Sequence, residues 1–109
     1  MNLTSALLTL LLAAVLEAGG DALVRAALHA SPWRRVSLFA AGAVVLFAYG
    51  YTVNAPPWNF GRLLGVYVVI FFLVAQLIAW LVFHQRPAGG VWLGGAFIVA
   101  GGVIMTVTR

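Results

Sequence analysis

The chain has 109 residues, 64% of them hydrophobic and 7% charged, with a mean hydropathy of +1.09. Soluble domains carry about 25% charged residues, so one domain of this size must turn most of its surface to lipid or to its own helices. The net charge of +4 comes from six arginines that mostly flank apolar runs. This is the pattern of headgroup anchors and topology signals, not the solvated basic face of a nucleic-acid module.

The first apolar run extends from about Leu3 to Leu28 and ends in His29-Ala30-Ser31-Pro32. No Lys or Arg precedes it, so it reads as a spanning helix and not as a cleaved signal peptide. Glu17 follows thirteen uncharged residues, Thr4 to Leu16. A charge at the centre of a span costs about 2.5–3.5 kcal/mol even on the mildest insertion scale, which makes it a functional candidate by default. Glu17, Asp21 and Arg25 stand at i, i+4 and i+8 and climb one helical face. Asp21 lies one turn before Arg25, the favourable order for an acid–base pair. It reads as neutralised there, leaving Glu17 as the carboxyl able to trade a proton for a cation. Ala13, Ala14, Ala18, Gly19 and Gly20 leave space beside it for a ligand or for another helix. The competing reading makes Glu17 an interhelical hydrogen-bonding group.

The second run, about 33–53, is stopped by Asn54-Ala55-Pro56-Pro57. The third, about 60–83, is closed by His84-Gln85-Arg86-Pro87. Tyr67 shares a stripe of the third run with Leu64 and Phe71 and can face Glu17. Gln76 points roughly the other way, toward an interhelical hydrogen bond. Tyr49, Tyr51 and Trp58 read as interfacial aromatics. The fourth run, about 91–108, carries Gly94 and Gly101 seven residues apart on one face. Small residues in lipid admit another helix closely. That face serves either a dimer interface or a contact inside the four-helix unit. His29 and His84 lie at helix ends, without metal-ligand spacing.

Each run is close to the ~20 residues that cross a ~30 Å hydrocarbon core, all four prolines fall at boundaries, and the short loops force antiparallel neighbours. The expectation is an all-α, multi-pass membrane protein with four transmembrane helices in one domain, 1–109. Arg25, Arg34, Arg35 and Arg86 lie toward one side, against Arg62 and Arg109. This is a weak lean toward termini outside and leaves insertion in both orientations open. No cysteine, nucleophile–base pair or phosphate loop is present, so neither an enzyme nor a cofactor or metal site is expected.

Four helices in this length, with a lone Glu in the first, resemble the small multidrug resistance family of the drug/metabolite transporter superfamily. The stretch Leu16-Glu17-Ala18-Gly19-Gly20-Asp21-Ala22-Leu23-Val24-Arg25 looks like the family's Glu, then Gly three later, then a basic residue eight later. Gln85-Arg86 after an aromatic-ended third helix, followed by Gly94 and Gly101, looks like its third loop and fourth helix. Gly61-Arg62 followed by Tyr67 is similar to the related uncharacterised branch of short four-helix proteins. The resemblance implies an antiparallel, dual-topology homodimer in the cell (inner or plasma) membrane. Paired Glu17 side chains would bind protons or a small organic cation in competition, with Tyr67 and Asp21 beside them and Arg25 as charge partner. Ala14, Gly20, Leu64 and Phe71 would line the chamber, and Gly94 and Gly101 would form the dimer contact. The sequence departs from the family at Leu64, usually aromatic, at Tyr67, usually Trp, and at the additional acid Asp21. Two other readings remain: a non-transporting small subunit that assembles with a membrane complex, and a carrier of lipid-linked cargo using Arg25 or Arg62.

Overall fold

A computed structural model describes residues 1–108; Arg109, counted in the charge balance above, lies outside the described residues. Four helices follow one another: α1 Leu3–Leu28, α2 Pro32–Val53, α3 Phe60–Phe83 and α4 Gly89–Val107. All four are long and apolar enough to cross a membrane. Local chemistry accounts for the ends. Asn2 caps α1 by accepting a hydrogen bond from the Ser5 N–H at 2.8 Å. Pro32 opens α2 at its first turn, where its missing N–H costs nothing and its fixed φ suits a helix. α3 is terminated by His84 in the left-handed conformation, φ 56°, which returns the Gln85 N–H to the Ala79 carbonyl at 2.9 Å. α4 starts two glycines before the apolar run that marks it in the sequence, because Gly89 and Gly90 join the helix.

The helices do not close into a two-by-two bundle. α2 packs on α1, α1 on α3 and α3 on α4, and the unit measures 49 × 34 × 19 Å. The main contacts run α2–α1–α3–α4, and α2 also reaches α3 through Tyr49 and Val53, so the arrangement is an open bundle and not a flat row. In lipid, apolar side chains gain nothing by leaving their solvent, so close backbone approach decides which faces meet. Between α1 and α2 the approach is at Gly20 and Gly42. A Cβ on Gly42 would stand 2.9 Å from a Val24 methyl and 3.3 Å from the Gly20 carbonyl oxygen. Between α3 and α4, Phe72 seats on Gly95 and Val69 on Gly102; a Cβ on Gly102 would meet the Val69 Cβ at 2.9 Å. The Thr52 and Thr106 hydroxyls are satisfied by their own helices, each donating to the carbonyl four residues back at 2.8 Å.

The α1–α3 seam carries the main core, with Leu10, Ala13 and Ala14 against Leu63, Val66 and Tyr67. This tight contact lies in the N-terminal halves of both helices. Toward their C-terminal ends the two helices leave a crevice of about 280 Å³ between them.

Arg62 takes a different part from that of a headgroup anchor. Its guanidinium donates to the Met105 and Thr106 carbonyls at 3.2 and 3.1 Å and lies over the Trp58 ring at 4.8 Å. Those carbonyls belong to the last turn of α4, which has no helical partners for them. A cation there satisfies them and complements the helix dipole. Arg62 thus clasps the end of α4 to the start of α3.

Candidate functional site

Glu17 sits one turn past Ala13 and Ala14, where the α1–α3 seam begins to part. There the buried Tyr67 hydroxyl donates to Glu17 Oε1 at 2.7 Å. α3 places Tyr67 by the same spacing that buries Leu63 and Val66, so the hydroxyl reaches α1 from a rigid packed position. The Tyr67 ring is held on both sides. Tyr49 of α2 lies 5.8 Å from it and Phe71 of α3 lies 6.0 Å, each tilted by 32°. The site is therefore built by three helices: a carboxyl from α1, its donor from α3 and an aromatic support from α2. Glu17 itself is half-buried and keeps an open side.

The neighbouring crevice continues the same face of α1. Ala18, Asp21, Ala22 and Arg25 form one wall, Phe71, Ala75 and Phe83 belong to the other, and Gln85 stands at the loop end. Here the structure differs from the ion pair expected from spacing. Arg25 does not close on Asp21; its guanidinium lies 5.3 Å from the centroid of the Phe83 ring, and no carboxylate ion pair is formed among the described residues. The cause is α3. Its C-terminal aromatic, Phe83, stands beside the last turn of α1 and offers the cation a ring face.

Of the lining positions, Phe71 lines the crevice. Ala14 does not: it is fully buried in the seam, and Leu64 packs against that same core. Gly20 does not line it either, because it is consumed by the contact with Leu46 of α2, where a Cβ would lie 2.7 Å from the side chain. On α4, Gly94 and Gly101 have open space where a Cβ would be, whereas Gly95 and Gly102 make the contact with α3. Gln76 lines a separate groove of about 600 Å³ between α3 and α4 and makes no hydrogen bond among the described residues. Tyr49 corrects the interfacial reading, since it is half-buried against Tyr67. Gln85 and the aromatic end of the third helix, Phe83, entered the sequence reading only as part of the family resemblance, and the structure places both in the crevice wall.

Chemically, the arrangement offers a half-buried carboxyl with one fixed donor and aromatic rings beside that donor, next to a crevice that carries Asp21, Arg25 and Gln85. A carboxylate so placed can hold a proton or an organic cation, and the ring faces can add cation–π attraction.

Residues 3–109 match the family described as "Uncharacterised BCR, YnfA/UPF0060 family". Among similar chains, a UPF0060 membrane protein of Herpetosiphon aurantiacus is 28% identical over 107 residues, covering 96% of each chain. A UPF0060 membrane protein of Synechocystis is 31% identical over 99 residues, covering 91% of this chain and 90% of that one. No solved structure matches.

Proposed function

The chain belongs to the YnfA/UPF0060 family of multi-pass membrane proteins, and from that premise we propose that it is a proton-coupled antiporter of small organic cations, working through Glu17. The observation that carries the reading is the 2.7 Å hydrogen bond from Tyr67 to Glu17. A lone carboxyl inside a span is tolerated only with a partner or a task. Here the partner is a neutral donor, so the carboxyl's charge is left for a mobile species. When protonated, Glu17 is neutral; when it releases the proton, the carboxylate takes up a cation, and occupancy by one excludes the other. Alternating exposure of that site converts a proton gradient into cation export. The likeness of the Glu17 stretch to the small multidrug resistance family supports the same reading.

Glu17 is half-buried and open on one side, and a second copy would complete the chamber. The outward Gly94 and Gly101 face suits that association, in the antiparallel arrangement the small arginine bias permits. The same face could receive another membrane protein, which is the small-subunit reading; that reading gives the Glu17–Tyr67 pair no task. The lipid-linked-cargo reading loses Arg62, whose guanidinium is committed to the end of α4.

The test is Glu17→Gln in proteoliposomes under an imposed pH gradient. The expected result is loss of cation-driven proton release, with retained insertion and retained helicity. Unchanged coupled flux in that variant would sink the proposal.

A further inference from the structure

The crevice below Glu17 carries two opposite charges that do not meet. Asp21 and Arg25 both line its volume of about 280 Å³. Among the described residues Asp21 makes neither an ion pair nor a hydrogen bond, and Arg25 rests on the face of Phe83 at 5.3 Å. Both side chains are exposed, and an exposed pair one helical turn apart, with Cβ atoms about 5–6 Å from each other, gains little by pairing, so the Phe83 face is enough to draw Arg25 away from Asp21. Their separation holds an acceptor and a donor open toward the same small space. Between them the walls are short and apolar, with Ala18 and Ala22 facing Ala75 and Ala79, and the Gln85 amide stands at the loop end.

A ligand must satisfy both charges to leave neither stranded. A simple cation would serve Asp21 and leave Arg25 on Phe83; an anion would do the reverse. A large flat drug cation does not suit a volume at or below the roughly 300 Å³ where ligand pockets begin. We propose that the α1–α3 crevice is a second binding site, for a small zwitterion. Its ammonium lies on the Asp21 carboxylate, its anionic oxo group on the Arg25 guanidinium, and its short linker against the alanine walls. Arg25 leaves the Phe83 face to make a charge-assisted hydrogen bond with the ligand, a stronger contact than the one it gives up. Two sources supply this chemistry: a free ammonium carboxylate or ammonium phosphate, and the ethanolamine phosphate headgroup of a lipid entering through the open side of the crevice. The site does not include Glu17, so its fate is separate from that of the exchange reaction.

The experiment is calorimetric titration of the full chain, delipidated in detergent, with β-alanine and with phosphoethanolamine, using ethylammonium and acetate as single-charge controls. Saturable zwitterion binding is expected, at least tenfold tighter than either control. Asp21→Asn and Arg25→Gln should each weaken it tenfold or more, and the double exchange D21R/R25D, which keeps both charges, should restore it. A lipid source predicts that phosphatidylethanolamine copurifies with the wild type from mixed vesicles and not with the single variants. A free-zwitterion source predicts the same binding in vesicles of phosphatidylglycerol alone. Zwitterions that bind no more tightly than ethylammonium, or single variants that titrate like the wild type, overturn the proposal.

Discussion

Tyr67→Phe removes one hydroxyl from the Glu17 site and leaves the ring between Tyr49 and Phe71. The lost contact is a 2.7 Å hydrogen bond to a carboxyl oxygen. Such bonds contribute about 1.5–3 kcal/mol when one partner is charged, but that whole amount does not appear in cation affinity, because the bond is present before the cation arrives. What the cation must newly supply in the variant is order. Without the phenol, the Glu17 side chain regains rotamer freedom worth up to about 1.5–2 kcal/mol, and binding has to remove it. Taking most of that, about 1.4 kcal/mol, the dissociation constant for an alkylammonium cation should rise roughly tenfold. Helicity should stay the same, since Tyr67 is buried by its ring and the ring is unchanged. The assay is equilibrium binding of the cation to purified protein at a pH where the wild type binds fully. A dissociation constant within twofold of the wild type, or a tighter one, would refute the reasoning; the phenol would then be a competitor of the cation and not the group that presents the carboxylate.

The α4 glycines separate into two kinds. Gly102→Val places branched carbon where Val69 already stands and should destabilise the α3–α4 pair by about 1–3 kcal/mol, the usual cost of overpacking, read as a lower midpoint in denaturing detergent. Gly94→Val enters open space; it should leave that midpoint unchanged while reducing self-association in a dilution series by energy transfer. Arg62→Ala should release the last turn of α4 and speed amide exchange at 103–108. Arg62→Lys should recover only part of the protection, because an ammonium keeps the charge but not the planar fork that reaches two carbonyls. Equal protection in the alanine variant would show that the clasp does not hold the helix.

The spans were readable because lipid imposes one length on all of them and because Pro32, Pro56, Pro57 and Pro87 fall at helix boundaries. Glu17 stood out as a candidate because a carboxyl after thirteen uncharged residues is costly in such a run, and its reach to Tyr67 followed from the stripe on the third helix. The lateral arrangement was not. Gly94 with Gly101 and Gly95 with Gly102 have the same spacing of seven, so periodicity alone cannot say which stripe meets α3. That choice is made by Phe72 and Val69 on the other helix. Arg25 shows the same limit at the level of one side chain. Its spacing from Asp21 is a local fact, and Phe83, distant in sequence, decides the contact. Tyr49 looks like a headgroup aromatic until α1 and α3 are packed and its ring is found against Tyr67. Arg62 counts as a topology charge until the end of α4 arrives beside it.

The contact order α2–α1–α3–α4 also bears on how the protein is made. A chain released from the translocon in sequence sets α1 first, then α2, α3 and α4. Each newcomer packs on helices already made, α3 on α1 with Tyr49 of α2 beside it, and α4 on α3. Assembly in step with synthesis then predicts that the Glu17–Tyr67 contact forms without α4. A nascent chain stalled after α3 should already yield a crosslink between positions 17 and 67.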